Sequence, residues 1–265
     1  MDFTAITVAI ADGVAELTLN RPQALNSLNK TLIDETRVAL GDLEKNSDVR
    51  AVLLTGAGRG FCAGADLANG GFPNEEKRSP GEQTAHSMLI GFNPLVHDLA
   101  HFPKPVVTAV NGVAAGGGVG LALCGDVVLA AKSAYFVMVF GPRLALVPDM
   151  GVTWFAPRLI GHARSRAMAL LGERIPAEKA AQWGMIWDAV DDDKLMSEAR
   201  ALAARLAKGP REAFKKIKEV LDASLDNTLD QQLELERLTQ GKLGDLPDTR
   251  EGVIAFLQKR DPAFK

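Results

Sequence analysis

The chain changes its hydrophobic period several times, and each change marks an element. Residues 7–10 and 14–19 read as short strands, and Asp12-Gly13 between them is a hairpin turn. Asn20-Arg21-Pro22 ends the second strand. Asn29 can cap a helix running to about Glu44, with Leu32, Thr36, Ala39 and Leu43 on one face. Residues 51–55 form a third strand that runs into the glycine-rich GAGRGFCAGADL of residues 56–67. The polar, Gly- and Pro-rich stretch from Asn69 to Gln83 is expected to be a mobile surface loop, followed by a helix over residues 84–101.

The centre of the chain is VVTAVNGVAAGGGVGLALCGD, residues 106–126. Its first five residues read as a buried strand, Asn111-Gly112 breaks it, and Leu121 to Leu123 continue as a helical apolar face beyond Gly116, Gly117, Gly118 and Gly120. Strands are expected at residues 126–131 and 135–139, then a loop over 141–151 carrying Pro142, Pro148 and Asp149. Helical spacing follows at 153–160, 163–171 and 177–183, with a last strand near 186–190. From Asp193 the pattern is helical throughout: 194–208, 211–223, 229–240 and 248–259. The expected organisation is therefore a β/α core over residues 1–192 and a helical region over 193–265, with no linker marking the boundary and no sequence repeat.

Strand, glycine turn and helix in that order direct free backbone N–H groups, and the positive end of the helix dipole, at one point. Two strand ends run into such turns, Ala63-Gly64-Ala65-Asp66 and Ala115-Gly116-Gly117-Gly118. If the two donors converged, they would form an oxyanion hole for a carbonyl oxygen that gains negative charge. The alternative is a tight packing turn that needs small residues.

Composition narrows the class of partner. With 47% hydrophobic and 24% charged residues the chain is of the soluble globular type, and a net charge of -3 argues against nucleic acid or an anionic membrane as the main partner. No apolar run reaches the roughly 18 residues of a membrane span. The first residues, MDFTAITVAIADG, read as neither a secretory signal nor an Arg-rich transit peptide, and two cysteines make no disulfide framework, so a cytoplasmic setting is expected. Gly56-Ala57-Gly58-Arg59-Gly60 has the look of a dinucleotide fingerprint, but Phe61 stands where its third glycine belongs, and no G-K-[ST] triplet forms a P-loop. His97 and His101 are four apart on a helix but lack the Glu of an H-E-x-x-H pattern and a third ligand, so no metal is expected. Cys62 and Cys124 read as small packed hydrophobes.

LNRPQALNSLN at residues 19–29, GRGFCAGADL at 58–67, KPVVTAVNGVAAGGGVGLALCGD at 104–126 and AEKAAQWGMI at 177–186 resemble, in order and spacing, the enoyl-CoA hydratase/isomerase (crotonase) superfamily. The resemblance spans essentially the whole chain. It implies an α/β fold, the crotonase (ClpP-like) spiral of repeated ββα units with a helical C-terminal trimerisation region, and assembly as a homo-oligomer, a trimer or a dimer of trimers. It implies an oxyanion hole made by the backbone N–H groups of Ala65 and Gly117 around the thioester carbonyl of an acyl-CoA substrate, with no cofactor beyond the CoA moiety. CoA is expected along Gln23, Ala24 and Leu25 and along Ala63, Ala65, Asp66 and Leu67. Phe256 and Lys259 match positions that reach the adenine and phosphate end from a neighbouring subunit.

Hydratases of this superfamily carry two glutamates. Here the first place is Gly120 and the second falls near Val139, Phe140 or Gly141, and no Glu occurs between Glu82 and Glu173. The next carboxylate after Asp126 is Asp149, in LVPDMGVTW, set among Leu146, Val147, Met150 and Phe140. An apolar setting would raise its pKa towards a useful base value; the alternative is a loop aspartate capping the helix at Thr153. LVPDMGVTW, FNPLV at 92–96, MIWDAVDD at 185–192 and REGVIAFLQKR at 250–260 are most similar to the ring-epoxide phenylacetyl-CoA isomerases of aerobic phenylacetate breakdown, in which an aspartate at this place is the acid/base. One departure is an extra residue around Gly141-Pro142-Arg143. The expected activity is acyl-CoA isomerisation with Asp149 shuttling a proton, on a ring-epoxide phenylacetyl-CoA or a 3-enoyl-CoA. The alternatives are hydration, dehalogenation by an aspartate nucleophile, or RNA or CoA binding without catalysis.

Overall fold

A computed structural model describes residues 3–68 and 72–264; the expected loop from Asn69 to Gln83 thus begins outside the described residues. Two sheets organise the chain. The larger has the order β1-β2-β3-β5-β7-β10, from β1 (Ile6–Ala11), β2 (Val14–Leu19), β3 (Ala51–Gly56), β5 (Val106–Val110), β7 (Val127–Ala131) and β10 (Asp188–Val190). The smaller has the order β4-β6-β8-β9, from β4 (Gly60–Cys62), β6 (Val113–Ala115), β8 (Tyr135–Val137) and β9 (Ile175–Pro176). Successive strands alternate between them: β3, β5 and β7 lie in the first sheet, and each is followed by a short strand in the second. This is the crotonase spiral. All four strands of the second sheet are two or three residues long, too short to show a period; of them only β8 is expected from the sequence, within the apolar run of residues 135–139.

The hairpin turns at Asp12-Gly13, both with positive φ, and pairs β1 antiparallel to β2 with Ala11 opposite Val14. From β2 through β3, β5, β7 and β10 the pairing is parallel. Every residue of β3 and β5 is buried, as expected of parallel strands covered on both faces, and their apolar runs are continuous for that reason. Helix α1 (Lys30–Lys45) begins where expected, because the Asn29 side chain accepts a hydrogen bond from the Leu32 N–H at 2.9 Å. Leu32, Thr36, Ala39 and Leu43 are buried on its inner face.

The next helix starts earlier than its apolar spacing suggests. α2 (Pro80–Ser87) opens on a capping box between Ser79 and Glu82 with Pro80 at its first position, and a wide turn over Met88–Phe92 joins it to α3 (Asn93–Ala100). After β6 comes α4 (Gly117–Leu123), buried throughout. A second wide turn with i→i+5 spacing spans Phe140–Leu144, where the extra residue is expected. α5 (Val152–Leu171) contains a break at Gly161 (φ 75°, ψ 162°), so the two expected helices abut there.

α6 (Ala177–Gln182) leads to β10, and α7 (Leu195–Ala207) packs on β3 and β5 through Ala199 and Ala203. α8 (Arg211–Ala223), α9 (Leu229–Gly244) and α10 (Pro247–Gln258) extend beyond, with no buried residue in α8 or α9. Lys218 of α8 ties this extension to the sheet. It donates to the Phe102 carbonyl at 2.7 Å and to Asp126 at 2.9 Å, and Asp126 also accepts from the Val106 N–H at 2.7 Å. Asp126 is thus a structural residue at the start of the central strands. Among the described residues no helix is long and apolar enough to cross a membrane.

Candidate active site

The site is built where three backbone turns meet. The first follows β2. Leu25 and Asn26 both have positive φ, and the buried Asn26 holds the turn by accepting from the Arg21 N–H at 2.8 Å and donating to the carbonyls of Ala57 at 3.0 Å and Gly60 at 2.8 Å. Asparagine tolerates the left-handed region and supplies donor and acceptor together. The turn delivers Leu28 to the second turn, where it forms a parallel bridge with Ala65. The Leu28 N–H donates to the Gly64 carbonyl at 2.7 Å and the Asp66 N–H to the Leu28 carbonyl at 2.9 Å. That pairing consumes the groups on either side of Ala65 and turns the Ala65 N–H away from Leu28, with no backbone acceptor among the described residues.

The third turn is Gly116, at φ 53°, which starts α4. Gly117 is the first helical residue, so its N–H has no partner within the helix. The second and third turns touch: a Cβ on Gly64 would stand 3.2 Å from the Gly117 nitrogen and 2.8 Å from the Ala115 carbonyl oxygen, and Gly64 has φ 88°, so only glycine fits. The loops of Ala65 and Gly117 are therefore adjacent, and neither N–H has a backbone acceptor among the described residues.

Asp149 faces the same place. Its Oδ1 lies 3.5 Å from where a Cβ on Gly117 would be. Burial pushes its carboxyl pKa up to about 6, against the smaller lowering effect of a hydrogen bond from its own backbone N–H. It is not a helix cap: the residue capping α5 is Gly151, with no side-chain cap, and Asp149 contributes only its carbonyl, to the Val152 N–H at 3.0 Å. The backbone between Asp149 and α5 is unusual. Met150 has φ 53° and Gly151 φ 74°, consecutive left-handed residues, and Met150 is 1% exposed. A non-glycine residue in that region costs on the order of 1 kcal/mol and persists only where its surroundings hold it.

Of the two places where a hydratase glutamate is expected, that of Gly120 is closed to a side chain, and that near 139–141 holds apolar residues and a glycine. A Cβ on Gly120 would lie 2.1 Å from the Met150 carbonyl oxygen. Val139 and Phe140 put apolar side-chain carbons 3.7 Å from the Cβ position of Gly116. Asp149 thus shares the Gly117 position with the apolar side chains of Met150 and Leu28, while Val139 and Phe140 pack at the neighbouring Gly116.

Beside the turns opens a cavity of about 630 Å³ lined by Gln23, Ala24, Ala63, Ala65, Asp66 and Leu67, together with Arg21, Ser27 and Ala68. Every residue expected along CoA in these two segments lines it except Leu25, whose side chain instead packs on Gly60, 3.3 Å from that residue's Cβ position. Asp66 lines the cavity, and its side chain, 3% exposed, pairs with Arg21 at 2.8 Å. Arg21 also donates to the Ser27 carbonyl at 2.6 Å. Sequence reasoning passed over Arg21, because nothing in Asn20-Arg21-Pro22 reveals a partner 45 residues away. Arg21→Met removes this ion pair from the buried Asp66 carboxylate, and urea unfolding should show a loss of about 2 kcal/mol, less than for a fully buried pair because Arg21 retains some solvent contact.

Phe256 and Lys259 stand apart from this cavity in the single chain. Phe256 is 83% exposed, and Lys259 ends α10 at φ 53°. His97 and His101 stack at 4.4 Å between ring centroids, and no group of three or more metal-ligating side chains exists among the described residues. Burial pushes both thiols, Cys62 and Cys124, up to about 12, which fits packed, unreactive cysteines.

A family described as "Enoyl-CoA hydratase/isomerase" matches residues 9–265. The chain is 49% identical over 255 residues to the 1,2-epoxyphenylacetyl-CoA isomerase of Escherichia coli, covering 96% of each chain. It is 44% identical over 264 residues to a Rhodobacter capsulatus protein described as "Probable enoyl-CoA hydratase", covering 100% of this chain and 99% of that one. Among solved structures, an enoyl-CoA hydratase from a Polaromonas species superposes with a TM-score of 0.92 at 33% identity, over 99% of this chain and 100% of that one.

Proposed function

The chain belongs to the enoyl-CoA hydratase/isomerase family, and from that premise we propose that it is an acyl-CoA isomerase in which Asp149 carries the proton. The observation that carries this reading is the placement of the Asp149 carboxylate beside Gly117, while a side chain at Gly120 would collide with Met150 and the other expected glutamate place holds the apolar Val139 and Phe140. The thioester carbonyl oxygen sits between the N–H groups of Ala65 and Gly117. As the α-proton leaves, negative charge grows on that oxygen, and each donor is worth on the order of 3 kcal/mol to the enolate. Ionised Asp149 takes the proton from the α carbon of a 3-enoyl-CoA and returns it to the γ carbon, so the double bond moves into conjugation with the thioester. No water and no second carboxylate enter the balance. With a ring-epoxide phenylacetyl-CoA, the substrate class suggested by the Escherichia coli relative's name, the same group assists ring opening and expansion.

The CoA moiety lies along the cavity at Gln23, Ala24, Ala63, Ala65, Asp66 and Leu67, with Leu25 shaping the turn beneath it. Phe256 and Lys259 serve the adenine and phosphate end of a neighbouring subunit's site in a trimer or a dimer of trimers. The support for assembly is the apolar surface the single chain leaves uncovered, with Leu229 73%, Phe256 83% and Leu257 73% exposed.

A panel of a 3-enoyl-CoA, crotonyl-CoA and the phenylacetyl-CoA ring epoxide, read by ultraviolet absorbance and product mass, tests the reading. Products of unchanged mass from the first or third substrate are expected; a product heavier by one water as the main outcome would overturn it. The pH profile is a further expectation. The base must be ionised and its carboxyl sits near 6, so kcat/KM should hold above that pH and fall about tenfold per pH unit below it. An acid limb at the ordinary aspartate value would detach Asp149 from the chemistry.

A further inference from the structure

We infer that Met150 is a positioning residue that determines the reaction outcome: it wedges between Asp149 and α4, aims the carboxylate, and keeps water from the position a hydratase glutamate would serve. The inference rests on the isomerase reading and extends it to a residue that touches no substrate. Met150 lies across two glycines one helical turn apart. Its Cγ is 2.9 Å from the Cβ position of Gly117, and its carbonyl oxygen and Cβ are 2.1 and 2.7 Å from that of Gly120. The same Gly117 position is 3.5 Å from the Asp149 Oδ1, so wedge and base share one contact point on α4.

The fit is enforced from both sides. On the helix, any side chain at Gly117 or Gly120 would displace Met150. On the loop, the left-handed Met150 and Gly151 reverse the backbone so that Asp149 faces Gly117 while Val152 enters α5. Gly151 is clamped in turn: a Cβ there would meet the Phe155 ring at 2.7 Å and Val96 at 3.3 Å. A residue held in this conformation, almost fully buried and adjacent to the base, is poised to orient that base. Its side chain, through Cβ and Cγ, occupies space at Gly120 and Gly117 that would otherwise admit water near the carboxylate. A water held there by Asp149 could add across a conjugated enoyl thioester: oxygen bonds to the β carbon, the α carbon takes a proton, and the 3-hydroxyacyl-CoA results with no co-reactant other than water.

The test compares Met150→Gly, which accepts the left-handed backbone and removes the wedge, with Met150→Leu, which keeps the volume. Each is assayed with a 3-enoyl-CoA and with crotonyl-CoA, following product mass and the pH dependence of kcat/KM, after circular dichroism and thermal unfolding have established a folded chain. Met150→Gly should lower isomerase kcat about tenfold with KM within twofold, move the acid limb down towards the ordinary carboxylate range as water reaches Asp149, and yield hydrated product from crotonyl-CoA. Met150→Leu should keep the wild-type limb and the wild-type product. A folded Met150→Gly with an unmoved limb and no hydrated product overturns the wedge. Asp149→Asn, measured alongside, separates the two readings: undiminished isomerisation there removes the proposed function, whereas wild-type behaviour of Met150→Gly alone removes only the role of Met150.

Discussion

Asp149→Asn should lower isomerase turnover by about 10³-fold, within the range that a positioned general base supplies, while KM changes little. The substitution keeps the shape of the carboxyl group and cannot accept the proton. It should also make the protein more stable at neutral pH, and the sign follows from linkage. The folded-state pKa, about 6, lies above the ordinary 3.8, so the folded chain holds this proton more tightly than the unfolded chain. Its contribution to stability is therefore fully present below about pH 4 and is lost as pH rises through 6. At pH 8 the ionised carboxylate is a burden on the fold that an amide does not impose. A gain on the order of 1–2 kcal/mol is expected after allowing for partial solvent access. Loss of turnover together with a raised Tm would be hard to explain by misfolding. Equal turnover of the variant and wild type would remove Asp149 from the mechanism.

Gly120→Glu should fail to create a hydratase. It restores the residue type found at this place in two-glutamate relatives, yet its Cβ would collide with the Met150 carbonyl oxygen at 2.1 Å. Backbone cannot yield as a flexible side chain can, so the 149–151 segment would have to move, and a carboxylate would enter an apolar contact. Overpacking and an unpaired buried charge together should cost on the order of 4 kcal/mol, visible as a large fall in Tm. Isomerase activity should fall too, because Asp149 sits on the segment displaced. A stable Gly120→Glu variant that hydrates crotonyl-CoA would show that Met150 does not close the Gly120 place.

Much of this arrangement could be read in the chain before its coordinates. The hairpin at Asp12-Gly13, the Asn29 cap, the buried strands β3 and β5 and the C-terminal helices all announce themselves by local signals, because each depends on residues within a few positions. Gly120 and Asp149 were also legible, one by what it lacks and the other by being the next carboxylate along. What stayed hidden depends on distant partners or on length. Nothing near Arg21 reveals Asp66, and nothing in LVPDMGVTW says that Met150 adopts φ 53°. The short strands β4, β6 and β9 are held by their neighbours in the second sheet rather than by a pattern of their own. α2 begins at Pro80 because Ser79 and Glu82 cap each other, a polar signal that an apolar period does not register.

The alternation of strands between two sheets has a consequence for how new activities could arise. The proposed thioester grip lies at the ends of β4 and β6, whereas the proposed acid/base, Asp149, rides on residues 138–151, which enter after β8 and leave at the start of α5. The anchors of that segment are fixed by the scaffold: the Gly116 N–H holds the Val137 carbonyl at 2.9 Å, and the Gly151 carbonyl accepts from Trp154 and Phe155 at 2.8 and 2.9 Å. The segment behaves as a cassette between two sockets. Exchanging it whole would alter which proton moves while leaving the CoA grip intact, and the glycines of α4 set the clearance that any replacement must respect.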